Sequence, residues 1–501
     1  MKLLSYVLLT CFCWFTSQGC KSVLDKEPLA QISASSAYIT ADDARRAVTA
    51  TYTPLAGNNW CCTYVGTGYM HWVLANVASD DTEKGGESGS DQLYAQQISL
   101  FNIQSDNDAA RFAWSTEYIG IRRANLVLDN VPNIQMDAAL KNQYLAEAKF
   151  LRAWYYINLV KTFGDVPLVL TASQNTYDME RTPKQQVYAQ IIKDLEEAAE
   201  VLPLASKYPA ADRGRATKGA AQAYLGKVYL YMNNFAKAEE WFDKVIKSGE
   251  YALHADYMGM FLRAGETSRE HIFQVQFLND QGAQPANNQI NIVMASRARN
   301  GWGFNNPTPD FVSAFEPGDP RLEQSVYKTG DVMPDGLVAN VGNSSTGYLN
   351  KKVYVPEYER IAGSLQAGRD DIYMRLGKVL LWYAEAANEN GNTTAALNAL
   401  NQVRARARQG KTGVLPDVTV TDKVALRERI WQEQRVEFGQ EYERFFELVR
   451  QGRAGKVLRA YGEKYKTAKG AGFRDGINEI FPIPQLEINL SGGKIKQNPG
   501  Y

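Results

Sequence analysis

Three glutamates near the C-terminus, Glu433, Glu437 and Glu441, recur every fourth residue, a spacing that places all three on one helix face. Two carboxylates so placed could act as acid and base on a glycosidic bond. Arg435, Arg444 and Arg450 are interleaved with them. Acids matched so closely by guanidinium groups read as a structural ion-pair network. Other chemistry-bearing residues are sparse. The three histidines, His71, His254 and His271, sit in no HExxH and beside no triad-like partner, and no Gly-rich phosphate loop is present. Asp80-Asp81 is an acidic pair of the kind that usually serves a turn or a cap, and a hard cation would need more oxygens than it offers. Cys61 and Cys62 are adjacent in NNWCCTY, without CxxC spacing or a nearby histidine, which argues against zinc. They form either a vicinal disulfide or two reduced thiols. No metal and no cofactor are expected. Lys+Arg and Asp+Glu are equal at 55 each, so no global field draws the chain onto nucleic acid.

The first residues carry an address. Lys2 gives a positive end, and Leu3 to Phe15 is an apolar run too short to span a bilayer. Ser17-Gln18-Gly19-Cys20 resembles the lipobox of bacterial lipoproteins, in which the cysteine becomes the lipidated N-terminus, although Ser17 stands where Leu is commoner. Residues 1–19 are read as a signal peptide, 20–36 as a lipidated tether and 37–501 as a single domain. No later stretch is long and apolar enough to span a membrane, so anchoring through Cys20 is expected.

The elements that position these residues are mostly helical. GAAQAYLGKVYLYMNNFAKAEEWFDKVIKSGEYAL, residues 219–253, reads as a tetratricopeptide-like helix hairpin. Gly226 and Ala238 mark the close approach of its helices, and Tyr229, Phe235 and Phe242 fill the groove. Residues 374–407 repeat the pattern, with Gly391 at the turn, and Tyr383 follows Leu225 by 158 positions. Since one hairpin cannot bury its own apolar face, the two need partners. Further helices are expected from Thr40, over 107–131, over 138–163 with Gly164 as C-cap, and from Thr182, where Thr182 caps and Pro183 takes the first turn. Helical repeats thus cover about 107–253 and 374–460. Residues 55–104 are loop-rich, and 254–372 form an irregular insertion in which HIFQVQF, 271–277, is strand-like. A helical scaffold with variable loops is the layout of a recognition protein.

Five motifs, in order along the whole chain, resemble the SusD/RagB family. They are CKSVLDKEP after the lipobox, FLRAWYYINLVKTFGDVPLVL, GWGFNNPTPDFVSAFEPGDPR at 301–321, the series Glu433, Arg435, Glu437, Glu441, Arg444, Leu448, Arg450 and Gly452, and FPIPQLEIN followed by QNPGY. Gln434 stands where a second Arg is common, and Tyr442 where Gly is common. The resemblance implies a mostly α fold with four tetratricopeptide-like units and loop-rich insertions that carry the ligand site. It also implies a non-catalytic surface lipoprotein of the outer membrane. Such a protein captures oligo- or polysaccharide and delivers it to a SusC-like TonB-dependent transporter.

Sugar binding needs flat rings against pyranose C–H faces and polar side chains for the hydroxyls. Trp114, Trp154, Trp241, Trp382 and Trp431 lie in helical patterns and belong to the core. Trp60, Trp72 and Trp302 lie in Gly/Asn-rich stretches and, with Tyr64 and Tyr69, are the expected stacking residues. Asn59, Asn287, Asn288, Asn300 and Arg299 are the expected hydrogen-bond partners. Two other classes remain open: a helical-repeat scaffold for proteins or non-sugar cargo such as peptides, and a glycoside hydrolase using Glu433 or Glu437.

Overall fold

The computed structural model describes residues 37–56, 70–278, 288–361 and 367–501, and the backbone of 58–59 and 64–65. Cys20, Trp60, Cys61, Cys62, Tyr69 and Asn287 lie outside the described residues. Of Asn59 and Tyr64 only their strand pairing is described. The longer helices are α1 (Ala41–Ala56), α2 (Asp108–Asn130), α3 (Ala138–Phe163), α4 (Lys184–Val201), α5 (Lys218–Tyr231), α6 (Phe235–Lys247), α7 (Leu376–Glu389), α8 (Thr393–Ala407), α9 (Lys423–Phe438), α10 (Arg444–Arg450) and α11 (Ala454–Tyr465). Strands are short and pair two by two, antiparallel: β1 (Asn58–Asn59) with β2 (Tyr64–Val65), β3 (Thr82–Gly85) with β5 (Phe304–Pro307), β4 (His271–Val275) with β8 (Asp371–Arg375), and β6 (Val326–Tyr327) with β7 (Leu349–Asn350).

Local chemistry sets the helix ends. Thr40 and Asp43 cap α1 reciprocally: the Thr40 N–H donates to Asp43 Oδ2 at 2.8 Å and the Asp43 N–H to Thr40 Oγ1 at 3.2 Å. Gly164 ends α3 at φ 74°, a conformation that costs glycine little. The expected Thr182 cap on α4 is corrected. Thr182 spends its backbone on a bridge to Val166, and the Lys184 N–H donates instead to Asp165 Oδ1 at 2.8 Å.

Each helix packs on the next in one continuous series: α1 on α2, α2 on α3, then on through α6 to α7, which carries both α8 and α9. The two hairpins recognised in the sequence, α5–α6 and α7–α8, are therefore neighbours in space, and the Phe242 and Trp382 rings stack with centroids 6.2 Å apart. Gly226 is needed for the close approach within the first, since a Cβ there would lie 2.5 Å from the Phe242 ring. The insertion between the hairpins leaves and rejoins the helices at one place, because β4 pairs with β8 directly before α7, His271 opposite Arg375.

The segment read as loop-rich carries strand β3, a short helix over Leu93–Ser99 and a further helical turn. Trp72–Val77 is a π-helical turn in which every residue is buried. A run that is buried all round, and apolar but for Asn76, gives little amphipathic contrast to detect.

Buried charge fixes these parts relative to one another. Arg375, fully buried ahead of α7, has all five N–H donors engaged. Nε and Nη2 hold Glu441 bidentately at 2.8 Å each, Nη1 donates to Glu270 at 2.9 Å and Glu437 at 2.7 Å, and Nη2 also reaches the Glu437 carbonyl at 2.8 Å. Glu437 further pairs with Arg321 at 3.0 Å and with Arg406. Glu433 pairs with Arg321 and Arg404, each at 2.7 Å. Lys352 holds Glu441 at 2.7 Å, while Lys227 and Lys378 hold Glu443 at 2.8 and 3.1 Å. With Asp319 on Arg321 and Glu316 on Arg404, seven cations face seven anions in the interior, and at the edge Glu316 is shared with Arg429 at 2.9 Å. The expectation of one shared helix face is corrected here: α9 stops at Phe438, and Glu441 returns to the cluster from the following turn, where Gln440 and Tyr442 take φ 68° and 66°.

A second cluster ties the N-terminal part to α9 and α10. Arg435 contacts Asp80 at 2.9 Å, Asp81 at 2.7 Å and Asp310 at 2.8 Å, and Arg444 holds Asp80 at 2.8 Å. The acidic pair is thus occupied by guanidinium groups. Burial works to raise the Asp80 carboxyl, but Arg435 and Arg444 prevail and hold it well below the usual range. In a third cluster Arg450 holds Glu385 at 2.7 and 2.6 Å.

These pairings predict a steep sensitivity to one charge. Glu437→Gln leaves Arg321, Arg375 and Arg406 short of a counter-charge in the interior, and a loss of about 3–5 kcal/mol in urea-unfolding stability is expected. They also predict an acid limit. Burial would raise the Glu441 and Glu443 carboxyls, yet Arg375 and Lys352 hold Glu441, and Lys227 and Lys378 hold Glu443, at about 2. A depressed folded-state value gives stability that is complete above the ordinary carboxylate range and lost as pH falls through the folded value. Relative to Glu443→Gln, the wild-type urea midpoint is expected to keep a level advantage above about pH 5 that shrinks between about pH 4.5 and 2.

Candidate functional site

The GWGFNN stretch presents one expected ring. Gly301 lies where a Cβ would sit 2.3 Å from the Ala295 carbonyl oxygen, and Gly303 takes φ 69°. Backbone hydrogen bonds from Trp302 to Ile292, from Gly303 to Ala295 and from Gly86 to Gly303, each 2.9 Å, pin the turn to the short helix Ile290–Met294 and to the end of β3. Beneath it, Asn305 donates to Gln440 Oε1 at 3.0 Å, which links this turn to the one that carries Glu441. Trp302 is left half-buried at the wall of a hollow of about 420 Å³, lined also by Asp91, Gln92, Gln289, Ile292, Arg297 and Phe304.

The polar groups in that wall are placed with care. Arg297 Nη2 donates to Asp91 Oδ2 at 2.7 Å, which compensates its charge. Its Nε, and the Oε1 of buried Gln289, are buried without a hydrogen-bond partner among the described residues. The hollow thus combines an indole, an unused donor and an unused acceptor. Those are the components that hold a polyhydroxylated ring by stacking and by bonds to its hydroxyls. Burying such groups unpaired costs free energy that a ligand recovers.

The other expected residues are distributed differently. Trp72 is fully buried, its ring 5.6 Å from that of Phe304, so it supports the hollow from beneath and offers it no face. Asn288 is buried and its amide is taken up by the Arg369 carbonyl at 2.9 Å and Asp371 at 2.8 Å, which fixes the neighbouring Gln289. Arg299 donates to the Tyr354 hydroxyl at 3.1 Å in a separate small cleft with Tyr327 and Arg360. Asn300 is exposed at φ 65°. Sequence reasoning missed Gln289, Arg297, Asp91 and Gln92. Arg297 and Gln289 lay within a few residues of those chosen, but nothing in their spacing told the residue facing the hollow from its neighbour.

Two family profiles match this chain in succession: "Starch-binding associating with outer membrane" over residues 59–230 and "SusD family" over residues 269–501. The chain belongs to the SusD family. Among curated SusD-like relatives, SusD-like protein P2 of Formosa agariphila is 25% identical, over 97% of each chain. Among solved structures, a laminarin binding SusD-like protein is 29% identical with a TM-score of 0.80, covering 93% of this chain and 100% of the other. The surface glycan-binding protein A of Bacteroides thetaiotaomicron in complex with laminarihexaose is 24% identical with a TM-score of 0.78, covering 92% and 99%, a likeness of fold. The mostly helical SusD-like architecture expected from the motifs is therefore the one observed. No described helix is long and apolar enough to cross a membrane.

Because the Gly301 position has no room for a side chain, Gly301→Ala is expected to push the turn from Ala295. It should cost about 1–3 kcal/mol and speed amide hydrogen exchange over residues 295–303, read by mass spectrometry.

Proposed function

We propose that this SusD-family chain is a non-catalytic glycan-capture lipoprotein. Anchored through Cys20 at the surface of the outer membrane, it binds an oligo- or polysaccharide and delivers it to a SusC-like TonB-dependent transporter. The observation that carries the reading is the Trp302 hollow: a ring held in place by rigid backbone, with Gln289 Oε1 and Arg297 Nε unused beside it. The laminarin-binding relative, similar over nearly the whole chain, supports a glycan as cargo. The charge around Arg297 is balanced by Asp91, which suits a neutral saccharide. Glu433, Glu437 and Glu441 are enclosed by arginines and lysines in the core, and the reading gives them no part in chemistry.

Calorimetric titration of the lipid-free chain from residue 21 with laminarin and starch oligosaccharides tests it. Binding is expected without release of new reducing ends, and Trp302→Ala should weaken it by about tenfold or more, about 1.4 kcal/mol. Absence of heat with every saccharide would instead favour the scaffold or peptide-cargo reading. Co-purification of the lipidated chain with a TonB-dependent barrel tests the delivery step separately.

A further inference from the structure

The short helix Ile290–Met294 stands between two recesses. Its Ile292 lines the Trp302 hollow, while Asn291 and Met294 line a cleft of about 20 Å³ walled by Arg299, Tyr327, Tyr354 and Arg360. The two share no lining residue. Backbone sets both arginines: the Arg299 N–H donates to the Ser296 carbonyl at 2.9 Å, and the Arg360 N–H to the Glu357 carbonyl at 3.2 Å. Their side chains, both half-buried, meet on one tyrosine. Arg299 Nη1 donates to the Tyr354 hydroxyl at 3.1 Å. The Arg360 guanidinium lies over the Tyr354 ring, 5.8 Å from its centroid, with Nε on the Val355 carbonyl at 2.9 Å. The Tyr327 ring stands 6.0 Å from that of Tyr354. Burial raises the Tyr327 phenol, whereas Arg299 and Arg360 both act to lower it, so both charges are felt at one hydroxyl.

What these guanidinium groups lack is an anion. Arg321, Arg375, Arg404 and Arg450 are each matched by carboxylates, but neither Arg299 nor Arg360 has an ion-pair partner among the described residues. Asp335, joined to Arg299 through the Tyr354 hydroxyl, is already spent. Its Oδ2 accepts that hydroxyl at 2.7 Å and the Glu357 N–H at 2.9 Å, and its Oδ1 accepts the Leu337 N–H at 3.3 Å. Two cations thus stand against one committed carboxylate. We propose that this cleft is an oxyanion site, which takes one carboxylate, sulfate or phosphate group between Arg299 and Arg360, with the Tyr327 and Tyr354 rings as its walls. A guanidinium fork presents parallel donors that match the oxygens of such a group. A recess of this size admits about one or two oxygen-sized atoms, so the oxygens of the anion enter and whatever carries them stays outside. The proposal rests on the uncompensated charge and does not depend on the Trp302 reading.

The test is calorimetric titration of the folded chain with sodium sulfate and with D-glucuronate, at an ionic strength held constant with sodium chloride and with D-glucose as the neutral control. Saturable binding of the anions, and not of glucose, is expected in about the millimolar range or tighter. Arg299→Gln and Arg360→Gln should each weaken it about tenfold or more, the loss of one charge-assisted contact, and Trp302→Ala should leave it unchanged. Arg360→Lys keeps the charge and loses the fork; it serves if the glutamine variants fail to fold, and should weaken binding about threefold or more. Tighter binding of glucuronate than of sulfate assigns the anion to an acidic sugar, and equal binding assigns it to the free ion. No saturable heat with either anion up to about 50 mM overturns the proposal. So does binding that survives both glutamine substitutions, or that is lost in Trp302→Ala, since the anion would then sit elsewhere. The Trp302 hollow is tested with neutral oligosaccharides, so the two readings fail separately.

Discussion

Arg375 is the residue on which the rest of the fold closes. A guanidinium group buried without partners is prohibitive, and this one is met by five acceptors drawn from α9, from the turn after it and from the residue just before β4. A buried network of this kind adds little stability over a well-packed apolar core of equal volume. What it imposes here is position. Glu270, Arg321 and Lys352 come from the insertion, Arg404 and Arg406 from the second hairpin, and the glutamates from α9 and its turn. Each charge is neutralised only when all three regions are in register. Shape complementarity between helices tolerates sliding, whereas a matched set of buried charges does not.

The ligand hollow inherits its geometry from this register. Gln440 and Tyr442, at left-handed φ, turn the chain so that Glu441 faces Arg375, and the same Gln440 accepts from Asn305 beneath the Trp302 turn. The Tyr442 N–H is received by Asn76 at 3.2 Å, which helps hold a conformation that costs a non-glycine residue about 1 kcal/mol or more. The commoner glycine of the family is thus explained by backbone conformation. At the far end of the molecule the terminal motif also fixes a chain end. The Asn498 amide donates to the carbonyls of Phe163 at 3.0 Å and Phe481 at 2.7 Å, so QNPGY closes the C-terminus of α3. Two of the five sequence motifs are in this sense a single contact.

Much of this was legible in the residues. The helices over 107–131 and 138–163, the two hairpins, the turn glycines and the strand at 271 all follow from periodicity and cap chemistry, which act over a few residues. The interleaving of Glu433, Glu437 and Glu441 with arginines identified a network but not its main cations. Arg321, Arg375 and Arg406 are distant in sequence, and local spacing holds no record of long-range pairing. The site was legible only in part for the same reason. Gly/Asn-rich context singled out Trp302 as a ring outside the helices, yet the same context surrounds Trp72, which a fully buried turn carries into the core. Whether an aromatic ring faces outward depends on what packs behind it.

The contacts of Asp80 and Asp81 have a bearing on how the chain is made. They are completed by Arg435 and Arg444, more than three hundred and fifty residues later. A polypeptide emerging from its N-terminus can wind its early helices, but it carries two carboxylates that must stay hydrated until nearly the whole length has appeared. The interior around Met70–Val77 then cannot dry out ahead of the last tenth or so of the sequence. Premature termination ahead of Arg435 would therefore not yield a shortened but otherwise sound particle. It would yield one that never seals, recognisable to quality-control proteases by its N-terminal half.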